Sequence, residues 1–179
     1  NIDEYMKKSI LFISLMILCT LLMAACGGKK AQGESVNANS DSIAERQQYR
    51  FECQFIKTEN EEYDSIVVKG YKDGKVAFEC RHQLIDYVSA ENAVGMPWIN
   101  DTVDINFDGI PDLQICLGPF NGYGNFTYDG FVWDPKDHKF VRVENYGEIF
   151  DPQLHSLENK IVGLFRLDND LTISVYEWQ

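Results

Sequence analysis

The chain has 179 residues, a formal net charge of −12 and an isoelectric point near 4.6. That length suits one domain with a tail. Such an acid excess supplies no basic patch for phosphates and excludes nucleic acid as a natural partner; it suits solubility, cation binding or a basic partner.

The first residues read as a targeting segment. Asn1 is no initiator, so residues 1–5 read as a spurious extension and Met6 as the start. Lys7 and Lys8 form a positive head, followed by an apolar run over residues 10–23. That run of about 14 residues is short of the roughly 20 that a spanning helix needs. It ends in Met23-Ala24-Ala25-Cys26, which resembles a bacterial lipobox with Met where Leu is usual. Residues 1–25 are thus expected to be a signal peptide, and Cys26 the lipidated residue that tethers the protein to a membrane through acyl chains. An ordinary secretory signal beside a cysteine is the alternative. Gly27 in place of Asp, by analogy with lipoproteins, points to the outer membrane, and Gly28-Lys29-Lys30 to its periplasmic face.

Residues 26–48 are polar and poor in aromatics, the composition of a flexible, disordered tether; a little helix around residues 42–50 is compatible with it. The folded domain is expected over residues 49–179. Residues 50–56 alternate as a strand, with Phe51, Cys53 and Phe55 on one face. Residues 65–71 and 76–82 form a hairpin about Asp73-Gly74. Residues 83–100 are less regular. Residues 101–105 and 113–117 read as short strands on either side of a loop.

That loop, Asp104-Ile105-Asn106-Phe107-Asp108-Gly109-Ile110-Pro111-Asp112, is the most informative stretch. Asp104, Asn106, Asp108 and Asp112 place side-chain oxygens at positions 1, 3, 5 and 9, and Ile110 offers its main-chain carbonyl. Gly109 stands where the chain must turn sharply. Six to eight hard oxygen ligands are what Ca²⁺ takes. The first half matches an EF-hand loop; the second does not, since position 12 is Ile115, and the flanks are strand-like rather than helical. The motif is expected to hold a structural Ca²⁺, with an empty Asp/Asn/Gly turn as the plainer reading.

Beyond it, Gly118-Pro-Phe-Asn-Gly-Tyr-Gly-Asn125 is rich in glycine and aromatics. It reads as a turn or as a binding lip, in which Phe120, Asn121, Tyr123, Asn125 and Phe126 are the candidate partner-binding residues. Strands are expected at residues 126–133, 139–143, 160–167 and 171–178. The chain stops one residue past Trp178, inside an apparent strand, which reads as a truncated frame. The pattern is all-β: an antiparallel meander, propeller-like or a partial propeller, with room for roughly three blades.

Five cysteines leave Cys53, Cys80 and Cys116 in the mature domain, all in apolar runs that suit buried small side chains. An odd number allows at most one disulfide among them. His82, His138 and His155 fall in no metal or nucleophile motif, and no nucleophile elbow or phosphate loop occurs, so no catalytic residue is assigned.

The D-x-N-x-D-G-x-x-D loop between strands resembles the calcium loops of integrin-type (FG-GAP) β-propeller blades. With Phe131-Val-Trp-Asp-Pro-Lys136, Lys139-Phe-Val-Arg142 and the Asp73-Gly74 hairpin, most of the mature domain resembles a family of bacterial calcium-binding lipoproteins of propeller-like fold. That family includes inhibitors of lysozyme-like peptidoglycan hydrolases. The resemblance implies a non-catalytic, envelope-anchored immunity protein that binds and inhibits such a hydrolase. The alternative is a structural or adhesive envelope module that binds glycan or protein.

Overall fold

The computed structural model describes residues 32–59, 62–88, 93, 96–120 and 124–178. The signal segment, the lipobox and Cys26, as well as Asn121 and Tyr123, lie outside the described residues. The chain divides into two units between Asn37 and Ala38, and the sheets belong to the unit from Ala38 onward. Helix α1 (Gln32–Arg46) runs into this unit.

The architecture is mostly β, in three antiparallel sheets. The first contains β1 (Arg50–Lys57), β2 (Tyr63–Lys72) and β3 (Lys75–Val88), in that spatial order. The second contains β4 (Ile99–Asn100), β5 (Leu113–Pro119), β6 (Phe126–Asp134) and β7 (Lys139–Arg142). The third places β9 (Lys160–Leu167) between β8 (Gln153–His155) and β10 (Asp170–Glu177). Each sheet is a sequential meander, as the turn spacing predicts. The hairpin signal Asp73-Gly74 forms a two-residue turn with φ of 52° and 72°, the backbone twist that closes a tight hairpin.

Two apolar clusters lie between these layers. Ile66, Val68 and Leu84 of the first sheet meet Leu113, Ile115, Cys116 and Phe131 of the second, with Trp98. Ile105, Tyr146, Ile149 and Ile161 form the other. Full burial of each such aliphatic side chain contributes about 1.5–3 kcal/mol.

The folded unit starts earlier than the sequence suggests. The last turns of α1 are docked: Arg46 is only 2% exposed, and its guanidinium donates to the carbonyls of Asp101 (2.7 Å) and Asp112 (3.0 Å). It also sits 5.1 Å from the ring centres of both Phe51 and Phe140. Glu45 accepts a 2.6 Å hydrogen bond from Lys72. These polar anchors leave no apolar periodicity in the helix, and so no sequence signal of docking.

The expected strand at residues 101–105 is absent, and pairing ends at Asn100. Side chains take the backbone groups a ladder would need: Asn100 Oδ1 accepts from the Thr102 amide, Arg46 caps the Asp101 carbonyl, and Asp112 accepts from the Ile105 amide. Of the three cysteines, Cys116 is buried, Cys80 is half-buried and Cys53 is exposed; all are free thiols. The buried reading therefore fails for Cys53, which stands on an edge strand.

Candidate metal centre

The loop from Asp104 to Asp112 folds around its own oxygens. The Asp104 carboxylate accepts from the amides of Asp108 (3.1 Å) and Gly109 (2.9 Å). Asn106 Oδ1 accepts from the same Asp108 amide at 3.2 Å, so both side chains converge on one point. Asn106 Nδ2 donates to Asp108 Oδ2 at 2.9 Å, and Asp108 Oδ1 accepts from the Ile110 amide at 2.8 Å. Phe107 and Gly109 carry φ of 61° and 83°, so the sharp turn expected at the glycine is present and a second left-handed residue precedes it.

Asp112 differs from its neighbours. It is fully buried, and its two carboxylate oxygens accept from the amides of Ile105 (2.7 Å) and Trp133 (2.8 Å). Burial pushes its carboxyl up to about 7, against the opposing pull of those amides, and the nearby Asp108 carboxylate adds to the rise. Asp112 thus joins the loop to β6.

Ile110 turns its side chain into a third small cluster with Tyr49 and Trp133, which fixes the outgoing limb of the loop. From the helix side, Asn39 donates to the Asp108 carbonyl at 3.3 Å. The loop is therefore held from within, from β6 and from α1.

The side chains of Asp104, Asn106, Asp108 and Asp112 offer hard oxygens, which suits Ca²⁺ rather than a softer metal. Asp104, Asn106 and Asp108 stand at the mouth and Asp112 inside. Among the described residues no group of three or more His, Cys, Asp or Glu is drawn close enough to hold a metal ion in this conformation. In this conformation the Asn106 amide N–H occupies Asp108 Oδ2.

The partner-binding candidates fare differently. Phe120 follows β5, is 49% exposed and packs edge-on against Phe150 at 5.0 Å. Asn125 is fully buried. Its amide donates to the Arg166 carbonyl and its oxygen accepts from the Arg166 amide, both at 2.6 Å. It clamps the second sheet to the third and is withdrawn from the surface. Phe126 begins β6 and is half-buried.

Sequence reasoning missed a polar cluster between the first two sheets, built on the buried Asp129 and reaching solvent through Arg142. Asp129 is 2% exposed and accepts from Arg142 Nε at 2.7 Å, with His82 Nδ1 3.2 Å away. Burial holds the His82 ring below its ordinary value, and Arg142 adds to this, while Asp129 opposes both. The three residues lie on different strands, so no spacing in the sequence announces them. The Cys80 thiol nearby is pushed up to about 12 by burial and by Asp129.

Searches with this chain against protein-family models, curated proteins and solved structures return no match.

Proposed function

We propose that this is a non-catalytic envelope lipoprotein, tethered through Cys26, whose β-rich domain is stabilised by a structural Ca²⁺. The proposed site is the Asp104–Asp112 loop, and the proposed task of the domain is to bind and inhibit a lysozyme-like cell-wall hydrolase. The observation that carries the metal reading is the convergence of Asp104 and Asn106 on one amide, with Asp108 beside them. Asp104, Asn106 and Asp108 would hold the ion with the Ile110 carbonyl, and Asp112 would supply an inner carboxylate. Bound there, Ca²⁺ would neutralise the crowded carboxylates and pin the loop. On this reading the three sheets correspond to three blades of a partial propeller.

A non-catalytic role is supported by the state of the nucleophile candidates. Cys80 stands two residues from His82, but a thiol raised to about 12 is no thiolate near neutrality. The acid excess of the chain suits a basic enzyme as partner. The test is a panel of lysozyme-type hydrolases assayed with the protein in calcium. Inhibition of a member supports the reading, and no inhibition across the panel sinks the inhibitor role.

The second reading, a structural or adhesive module, is favoured by β10. Leu171, Ile173 and Val175 alternate on one face of this edge strand and are 51%, 60% and 57% exposed. Contiguous apolar exposure on an unpaired edge marks a contact surface. Binding to glycan or envelope protein without hydrolase inhibition would select this reading.

A further inference from the structure

A groove lies beside the 3-10 turn Tyr146–Glu148, and none of the acidic loop's oxygen-bearing residues lines it. Its floor is apolar: Tyr146, Ile149 and Ile161 are each less than 7% exposed. Its wall is aromatic, formed by Tyr176 and Trp178, both 38% exposed. Its rim holds Glu144, Glu148 and Glu177, all exposed. Among the described residues, no lysine or arginine lines this cavity of about 270 Å³. The floor is fixed, since the Tyr146 hydroxyl accepts from Gln114 Nε2 at 3.0 Å and Asn145 holds the turn with a φ of 61°.

We propose that this groove seats a basic side chain, arginine or lysine, presented by a protein partner. The inference deepens the partner reading above and rests on it only in taking the partner to be a protein. Three parts of such a side chain find three matching parts of the groove. The apolar floor covers an aliphatic stem, which long cationic side chains bury readily. The exposed faces of Tyr176 and Trp178 attract a cation through their ring quadrupoles. The three carboxylates supply charge-assisted acceptors for the head group. A neutral glycan would stack on the same rings but draw nothing from the charge of the three carboxylates. A second copy of this chain would bring a further net charge of −12 to an already acidic surface.

Trp178 makes the proposal measurable. Trp98 and Trp133 are 4% and 1% exposed, so a change in fluorescence on binding reports on Trp178. The full chain in detergent would be titrated with acetyl-Gly-Arg-Gly-amide, with acetyl-Gly-Gln-Gly-amide and with triacetylchitotriose. The arginine peptide should give a saturable change and the other two should not. The triple variant E144Q/E148Q/E177Q should weaken it at least about tenfold. A second triple variant, E79Q/D137N/E158Q, makes the same charge change at exposed acids elsewhere and should weaken it less than about twofold.

Equal losses in the two triple variants would reduce the effect to general electrostatics and overturn the proposal. Saturable binding of the sugar in place of the arginine peptide would overturn it in favour of a glycan groove. No binding of the arginine peptide to the native chain would also overturn it. Should the groove variant fail to fold, Trp178→Ala replaces it, read by calorimetry, with the same tenfold loss expected. Arginine binding without any bound hydrolase would remove the hydrolase and keep the groove. Hydrolase inhibition without arginine binding would do the reverse.

Discussion

The Arg46 guanidinium donates to the main-chain carbonyl of Asp112 across 3.0 Å, in a site closed to solvent. A helix that reads as tether is thereby fastened to the residue that ends the acidic loop. The same side chain reaches the Asp101 carbonyl at 2.7 Å, so both limbs of the loop hang from one cation.

Arg46→Met should therefore destabilise the domain by about 2–4 kcal/mol, because two buried carbonyls lose a charged donor. Arg46→Lys should recover only part of this, since a single ammonium replaces a planar fork. Urea denaturation of the three proteins checks both statements. Equal midpoints for wild type and Arg46→Met would show that the helix is not part of the cooperative unit.

Asp112 and Asp108 should behave differently on substitution. Asp112→Ala leaves the amides of Ile105 and Trp133 buried without their acceptor, at a cost of about 1–3 kcal/mol each way of counting, with or without calcium. Asp108 stands exposed at the mouth, and Asp108→Ala should matter mainly when calcium is present. Melting curves in calcium and in chelator separate the two.

Gly130 is a packing requirement. A Cβ there would stand 2.8 Å from Tyr146 Cγ and 3.1 Å from Ile105 Cδ1, both in the core. Gly130→Ala should cost about 1–3 kcal/mol and shift Tyr146, which is read as an altered near-ultraviolet dichroism spectrum.

The pH dependence follows from His82. Burial lowers its folded-state value below the ordinary 6.5, so the unfolded chain takes up the proton first as pH falls. The stability it contributes is present above the unfolded value and is lost as pH drops through the lowered one. Asp112, raised to about 7, has the opposite sign: its contribution is present at low pH and is lost as pH rises through about 7. Comparing wild type with His82→Gln in chelator, between about pH 7 and about pH 5, isolates the first effect. The variant should lose less stability over that interval; parallel curves would mean that His82 is not buried neutral.

The hairpins were legible because their signals are local. Asp73-Gly74 fixes a turn by its φ angles, and the apolar run between the turns before residue 160 and after residue 167 marks β9. The loop from Asp104 to Asp112 was legible as a spacing of oxygens. What escaped depends on contacts between residues far apart in sequence. Arg46 finds Asp112 across 66 positions, and Asn125 finds Arg166 across 41. The polar composition of α1 and the glycines around Asn125 both read as exposed, because a buried hydrogen bond leaves no periodicity. Cys53 erred in the other direction, as an apolar run on an edge strand remains half in water.

The central claim is that the Asp104–Asp112 loop is a structural calcium site. Thermal unfolding of wild type and Asp108→Ala, each in Ca²⁺ and in chelator, tests it most directly. The account predicts a Tm that rises with calcium in the wild type and does not in the variant. A well-folded wild type whose Tm is the same in calcium and in chelator would contradict it.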